Sequence, residues 1–274
     1  MKGHKSVSEE RIPDFSQGRY ATPPNSSSRF GRTFPNLVFY ARMIKIVFNS
    51  SSLAKRGRYD DRAWVRAGLG IMAALESVGV HFEISGIDDF SSTKEPLVFI
   101  ANHMSVLETF ILCTMIVPSR RVTFVVKNSL VEMPVFRHIM RSREPVVVSR
   151  KNPRKDLAVV LEEGCAKLRE GMSMIIFPQA TRSLIFKPEE FNSLGIKLAK
   201  RAGVRFVPLA LKTDAWGQGK LIKDFGKINN RQVAYLAFGK PMSISGNGAQ
   251  EHQKVVDYIR AKLKEWQEGS VGIP

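Results

Sequence analysis

The chain has 274 residues and a mass of 30.8 kDa, with 43% hydrophobic and 24% charged residues. That length fits one large domain or two small ones with a sizeable core, and the composition excludes a chain disordered throughout. With 42 basic against 25 acidic residues the net charge is +17, which excludes an acidic solvating protein and favours an anionic partner: nucleic acid, a phospholipid surface or a phosphorylated substrate.

Residues 1–33 are polar and rich in Ser, Pro, Gly and Arg, with no apolar run of the secretory-signal kind. They are expected to form a flexible basic arm. Residues 34–80 are expected to form amphipathic helices. The apolar stretch Leu37–Phe48 is interrupted by Arg42 and Lys45, and Trp64–Val80 by Arg66 and Glu76. Neither is suited to cross a bilayer core of about 30 Å. Phe34, Leu37, Val38, Met43, Ile44, Val47 and Phe48 read as an apolar face, with Arg42, Lys45, Lys55, Arg56 and Arg58 beside or after it. That pattern suits a helix lying in the headgroup interface; the competing reading is a helix packed on the core. Residues 1–66 hold 13 basic and 5 acidic residues, so nearly half of the net charge lies in the first quarter of the chain. A nucleic-acid domain concentrates charge on a folded recognition element with matching aromatics. No such strand, helix-turn-helix or zinc finger is visible, so nucleic acid is not expected as a partner.

From residue 81 to 274 short apolar runs alternate with amphipathic stretches. Strands are predicted at Phe82–Ser85, Leu97–Ala101, Val122–Val126, Val146–Ser149, Met172–Phe177, Arg205–Lys212 and Val233–Phe238. Helices are predicted at Val106–Ile116, Pro153–Arg169, Phe191–Ala202 and Gln250–Gln267. The alternation argues for an α/β domain with a mostly parallel central sheet flanked by helices. Cys113 and Cys165 sit in apolar stretches and read as buried reduced thiols, too few for a disulfide framework or a zinc site. There is no GxGxxG after the first strand and no Walker A motif; no nucleotide cofactor and no metal are expected.

Ligands of open α/β sheets bind beyond the carboxyl ends of strands. Two such ends carry chemistry. Leu97–Ala101 runs into Asn102-His103-Met104-Ser105-Val106-Leu107-Glu108. On one straight helix His103 and Glu108 would lie about 140° apart. They meet if His103 is on the loop and Glu108 in the first turns of the helix. The carboxylate then fixes the imidazole tautomer and leaves the other nitrogen as a base. The missing member of a triad, a nucleophilic hydroxyl, could come from the substrate. The second end, Met172–Phe177, runs into Pro178-Gln179-Ala180-Thr181-Arg182-Ser183. A guanidinium there suits a phosphate.

Asn102-His103-x4-Glu108, followed about 70 residues later by Phe177-Pro178-Gln179-Ala180-Thr181-Arg182-Ser183, resembles the glycerolipid acyltransferase family. The best-known members of that family are 1-acylglycerol-3-phosphate acyltransferases, which carry NH-x4-D and then FPEGTRS. Lys127-Asn128-Ser129-Leu130 with Met133-Pro134-Val135-Phe136 is similar to the family's K-x-x-L…P-x-F segment. Val146–Arg150, Phe186-Lys187-Pro188 and Phe206–Ala210 also fit, and the resemblance covers roughly residues 80–240. Glu108 stands for the family's Asp, and Gln179-Ala180 for Glu-Gly.

The resemblance implies acyl transfer from acyl-CoA or acyl carrier protein, as co-substrate, to the hydroxyl of a lysophospholipid acceptor. His103 would be the base and Glu108 its orienting partner. Lys127, Arg150, Gln179, Thr181 and Arg182 would bind substrate, with no metal and no other cofactor. It further implies a peripheral or monotopic protein on an anionic membrane surface, at its cytoplasmic face. The departures keep open another lysophospholipid or an amine-bearing acceptor, or a catalytically weakened membrane-binding homologue.

Overall fold

The structure is a computed structural model that describes residues 13–15, 17–179, 181–219 and 224–270. In chain order the elements are β1 (Tyr20–Ala21), α1 (Arg29–Thr33), α2 (Pro35–Lys55), α3 (Asp61–Glu76), β2 (His81–Ser85) and α4 (Ile87–Ser91). Then come β3 (Val98–Ala101), α5 (Leu107–Ile116), β4 (Val122–Lys127), α6 (Asn128–Glu132), α7 (Phe136–Arg141), β5 (Val146–Val148) and α8 (Pro153–Arg169). The last are β6 (Ser173–Ile176), α9 (Leu194–Ala202), β7 (Phe206–Lys212), β8 (Val233–Phe238) and α10 (Ala249–Ser270).

Eight strands form one sheet in the order β1-β2-β8-β7-β3-β6-β4-β5. Pairings are parallel except β1 with β2 and β7 with β8. The central strands β3 and β6 are buried along their whole length, as near-continuous apolar runs in a parallel sheet require. Alternate residues serve opposite faces. Phe99, Val207 and Leu209 join the core under α2, α3 and α5. Val98, Ile100, Met174 and Ile176 join the core under α8, α9 and α10.

The helices flanking the first face have distinct duties. In α3, Trp64, Ile71, Met72 and Leu75 are buried, so this helix is core rather than interface. It lies close against α5: a Cβ on Gly68 would meet the Phe110 carbonyl oxygen at 2.8 Å. In α2 the apolar residues divide. Phe39, Met43 and Val47, at i, i+4 and i+8, pack inward. Leu37, Ile44 and Phe48, at i, i+7 and i+11, point away from them. With Phe30 and Phe34 they are between 45% and 66% exposed. The single apolar face expected from the sequence is therefore two faces, back to back.

The expectation of a free arm over residues 1–33 is corrected in its second half. Tyr20–Ala21 pairs antiparallel with β2. Tyr20 Oη and Thr22 Oγ1 both donate to the Glu76 carboxylate at the end of α3, at 2.6 and 2.7 Å. Residues 1–12 lie outside the described residues.

Both cysteines are free and buried, and burial pushes the Cys113 thiol far up. Gly68→Val should cost on the order of 2 kcal/mol through overpacking of α3 on α5. Urea unfolding measures this, and an unchanged midpoint would show that the two helices can part cheaply.

Candidate active site

Adjacent strands β3 and β6 send their connections to opposite faces of the sheet, β3 into α5 and β6 towards α9. Such a reversal opens a crevice beyond the carboxyl ends of the strands. The two loops expected to carry chemistry flank it.

Asn102 ends β3. Its side chain, 1% exposed, donates to the Leu211 carbonyl at 2.7 Å and accepts from the Leu211 N–H at 2.8 Å. This amide prolongs the β3–β7 ladder by one rung and sets the direction of the loop that follows. His103 comes next. Its Nδ1 lies 2.5 Å from Glu108 Oε2. Glu108 is the second residue of α5, and its side chain is fully buried. The loop-then-helix placement brings together two residues that a straight helix would separate.

A buried carboxylate is costly unless its lone pairs are taken. Glu108 Oε1 accepts from the Met104 N–H at 2.8 Å, the Ser105 N–H at 3.0 Å and Thr213 Oγ1 at 2.5 Å. Ser105 Oγ donates to Thr213 Oγ1 at 3.0 Å and accepts from the Leu107 N–H at 3.1 Å. The hydroxyls form a relay from the start of α5 to the carboxylate, and relays of this kind polarise each member. α5 has no side-chain N-cap, so Glu108 and Ser105 satisfy N–H groups around its start. A carboxylate offers acceptors alone, so Nδ1 carries the imidazole proton. Nε2 makes no hydrogen bond to the described residues, and the His103 side chain is 13% exposed.

The β6 loop holds His103 from the other side. The imidazole stacks on Phe177, with ring centroids 4.2 Å apart and planes 20° apart. Gln179 is buried, and its Oε1 accepts from the His103 N–H at 2.7 Å. The Ser183 N–H donates to the His103 carbonyl at 2.9 Å. Gln179, expected to bind substrate, is thus committed to the loop that presents His103. Ala180 lies outside the described residues, and Thr181 is exposed.

The expected phosphate-binding cations are spread along the same rim. Extending the strand registers puts Lys127 level with Pro178 and Asn102, and Arg150 two residues further out. Strand spacing places Lys127 about 10 Å across from β3, and Arg150 about 14 Å. Lys127 is exposed. Arg150 holds a left-handed φ of 56°, a strained conformation for a side chain with a Cβ. Arg182 is not waiting for an anion: its guanidinium is ion-paired with Asp224, on the β7–β8 connection. Among the described residues no group of three His, Cys, Asp or Glu side chains is placed to hold a metal.

Residues 81–212 match the Acyltransferase family model. The chain is 26% identical over 155 residues to a 1-acyl-sn-glycerol-3-phosphate acyltransferase of Pseudomonas aeruginosa, an alignment covering 57% of this chain and 58% of that protein. It is 27% identical over 139 residues to a chloroplastic 1-acyl-sn-glycerol-3-phosphate acyltransferase of Arabidopsis thaliana, covering 51% of this chain and 37% of that one. The alignments therefore span little more than half of the first relative and about a third of the second. The crystal structure of the 1-acyl-sn-glycerophosphate acyltransferase PlsC from Thermotoga maritima superimposes with a TM-score of 0.65 at 19% identity. It covers 87% of this chain and 97% of its own, and at that identity the likeness is one of fold. The segment that matches the Acyltransferase model spans the sheet from β2 to β7 and both loops of the crevice.

Thr213, Ser105, Phe177 and Asp224 escaped the sequence reading as site residues. Thr213 and Asp224 had no signal, since they reach the crevice from β7 and its loop. Thr213→Val should destabilise the fold by about 2 kcal/mol, because a lone pair of a buried carboxylate loses its donor. Thr213→Ser should be close to neutral. Paired denaturation curves measure this, and equal losses in the two variants would show that the methyl group rather than the hydroxyl matters.

Proposed function

We propose that the protein transfers a fatty acyl group from an acyl thioester, acyl-CoA or acyl carrier protein, to the free hydroxyl of 1-acylglycerol-3-phosphate. The observation that carries the reading is the His103–Glu108 pair. Every oxygen of Glu108 is engaged, its partner imidazole is held in one tautomer, and Nε2 is left over. The acceptor hydroxyl attacks the thioester carbonyl as Nε2 takes its proton. Glu108 stabilises the imidazolium that forms. Collapse of the tetrahedral intermediate breaks the C–S bond, and Nε2 returns the proton to the departing sulfur. The products are a diacylglycerol phosphate and a free thiol, and the chemistry needs no metal. Burial and the raised Cys113 thiol support a route without a covalent acyl-cysteine.

The acceptor's phosphate would be held by Arg182 on the loop after β6, with Lys127 and Arg150 further along the rim. The Gln179 side chain bears on the His103 loop, so it gives no support to a different acceptor. The bonding of Glu108 likewise gives none to a weakened enzyme.

The reading includes a peripheral or monotopic position on an anionic membrane, at its cytoplasmic face. No helix among the described residues is long and apolar enough to cross a membrane. The outward stripe of α2, Leu37, Ile44 and Phe48, is exposed beside Arg42 and Lys45. Apolar side chains in the acyl boundary with cations at the phosphates are the favourable arrangement for a helix lying in that plane, each well-placed cation adding roughly 1 kcal/mol. Within residues 1–80 the outward stripe of α2 would then supply the membrane contact, and residues 81–274 the catalytic domain.

His103→Ala should reduce acyl transfer by on the order of a thousandfold or more while the protein stays folded. Activity near that of the parent would remove the mechanism. Arg182→Ala should chiefly raise the KM for the phosphate-bearing acceptor; a changed kcat with unchanged KM would reassign this side chain. Replacing Leu37, Ile44 and Phe48 together by Ser should weaken binding to vesicles containing phosphatidylglycerol at least tenfold. Unaltered flotation with such vesicles would show that another surface meets the membrane.

A further inference from the structure

We propose that the basic turn between β5 and α8, residues 150–155, is a docking surface for an acyl carrier protein, which it meets through an acidic face of that partner. The inference rests on the acyltransferase reading above and concerns the acyl donor, which that reading leaves open. Arg150, Lys151, Arg154 and Lys155 are all exposed and lie within six residues of chain. Among the described residues Lys151, Arg154 and Lys155 enter no ion pair.

The backbone beneath these charges is fixed. The Ser149 N–H and Oγ donate to Asp156 Oδ1 at 2.9 and 3.0 Å, and Ser149 Oγ accepts from the Lys151 N–H at 3.1 Å. Asn152 Oδ1 accepts from the Lys155 N–H at 3.1 Å, and Pro153 opens the helix. The left-handed φ of Arg150 turns the chain out of the sheet. The surface is preformed, so docking has little backbone to order. Beyond Asp156, which is tied to Ser149, the next exposed acids of α8 are Glu162 and Glu163. They begin about 10 Å further along the helix.

Position suits a carrier of the donor. The turn follows β5 at the carboxyl edge of the sheet, three strands from β3, which is about 14 Å across from the strand that ends at His103. A phosphopantetheine arm has about thirteen bonds between phosphorus and sulfur, and at about 3.5 Å per three bonds of extended chain it reaches about 15 Å. A carrier seated on the turn can therefore lay its thioester beside His103 Nε2. α8 packs on the face of the sheet opposite α2, so a partner there does not share space with a bilayer held by the α2 stripe.

Shape separates a protein from a nucleotide. Phosphates and bases are taken by clefts or by free N–H groups at a helix start. Here residues 149–155 are exposed in unbroken succession, so they project rather than enclose. The helix start is already occupied by Asn152 Oδ1, and the Asp156 carboxylate beside it repels a phosphate. Cations spread over a projecting turn fit the complementary face of an acidic protein and steer its encounter.

The test compares palmitoyl-acyl carrier protein with palmitoyl-CoA as donors to 1-acylglycerol-3-phosphate. It uses the full-length parent and the triple variant Lys151→Glu, Arg154→Glu, Lys155→Glu, with circular dichroism as the check on folding. Arg150, assigned to the acceptor, stays in place. The variant should lose kcat/KM for the carrier-protein donor by about tenfold or more, through KM, while any transfer from palmitoyl-CoA stays within about twofold. Fluorescence anisotropy of labelled holo-acyl carrier protein should show binding to the parent that weakens with salt, and about tenfold weaker binding to the variant. Equal losses with both donors would assign the turn to the phosphates of coenzyme A or to the fold and overturn the inference. So would an unchanged carrier-protein donor, or a parent that binds no carrier protein. Weakened flotation of the variant with phosphatidylglycerol vesicles, at unchanged carrier binding, would give the turn to the membrane instead. Absence of transfer from either donor by the parent would refute the enzymatic reading alone, and the anisotropy would still decide whether the turn docks the carrier.

Discussion

The carboxylate of Glu108 is the point on which the site depends. It is buried in the apolar layer between the sheet and α5, where an ion without partners would cost several kcal/mol. Four donors meet that cost: two backbone N–H groups, a hydroxyl from the end of β7, and the imidazole of His103. One anion thereby fixes the loop after β3, the start of α5 and the end of β7 against each other. The catalytic reading of His103 follows from the same contacts, since its tautomer is set by a group that also holds the fold together.

Around this anion the sheet topology supplies the opening. β3 and β6 diverge to opposite faces, and their loops are tied across the crevice by Gln179 and Ser183 at the His103 backbone and by Phe177 under its ring. The rim beyond carries Lys127 and Arg150, about 10 and 14 Å across from β3, while Arg182 lies on the loop after β6. The net charge of +17 is therefore divided. Part lies in the first helices beside the exposed stripe of α2, and a few residues line the crevice. The β7–β8 connection touches both regions: Tyr40 of α2 bonds to Gly226, and Asp224 pairs with Arg182.

Much of the fold was legible in the sequence because the sheet is parallel and buried. Apolar runs such as Val98–Ala101 and Ser173–Ile176 have no alternative place in an α/β chain, and Pro153 and Asn152 mark the start of α8 plainly. β1 was not legible: a two-residue strand has no periodicity, and its position depends on pairing with β2 and on Glu76. α2 was misread as one-faced because its inward and outward stripes are both apolar and interleave along the chain. In the site, local spacing joined His103 to Glu108. Thr213 lies 105 residues from its carboxylate partner, and no local pattern foretells such a contact. Gln179 was legible as part of a motif but not in its duty, because a motif does not say whether a side chain faces the ligand or the loop beside it.

The account turns on one imidazole tautomer. Nitrogen NMR of the protein labelled with 15N-histidine, recorded where the imidazole is neutral and assigned with His103→Ala, reads the proton's position on the ring directly. The account predicts a protonated Nδ1 and an unprotonated Nε2 for His103. A proton on Nε2, with Nδ1 bare against the Glu108 carboxylate, would contradict it.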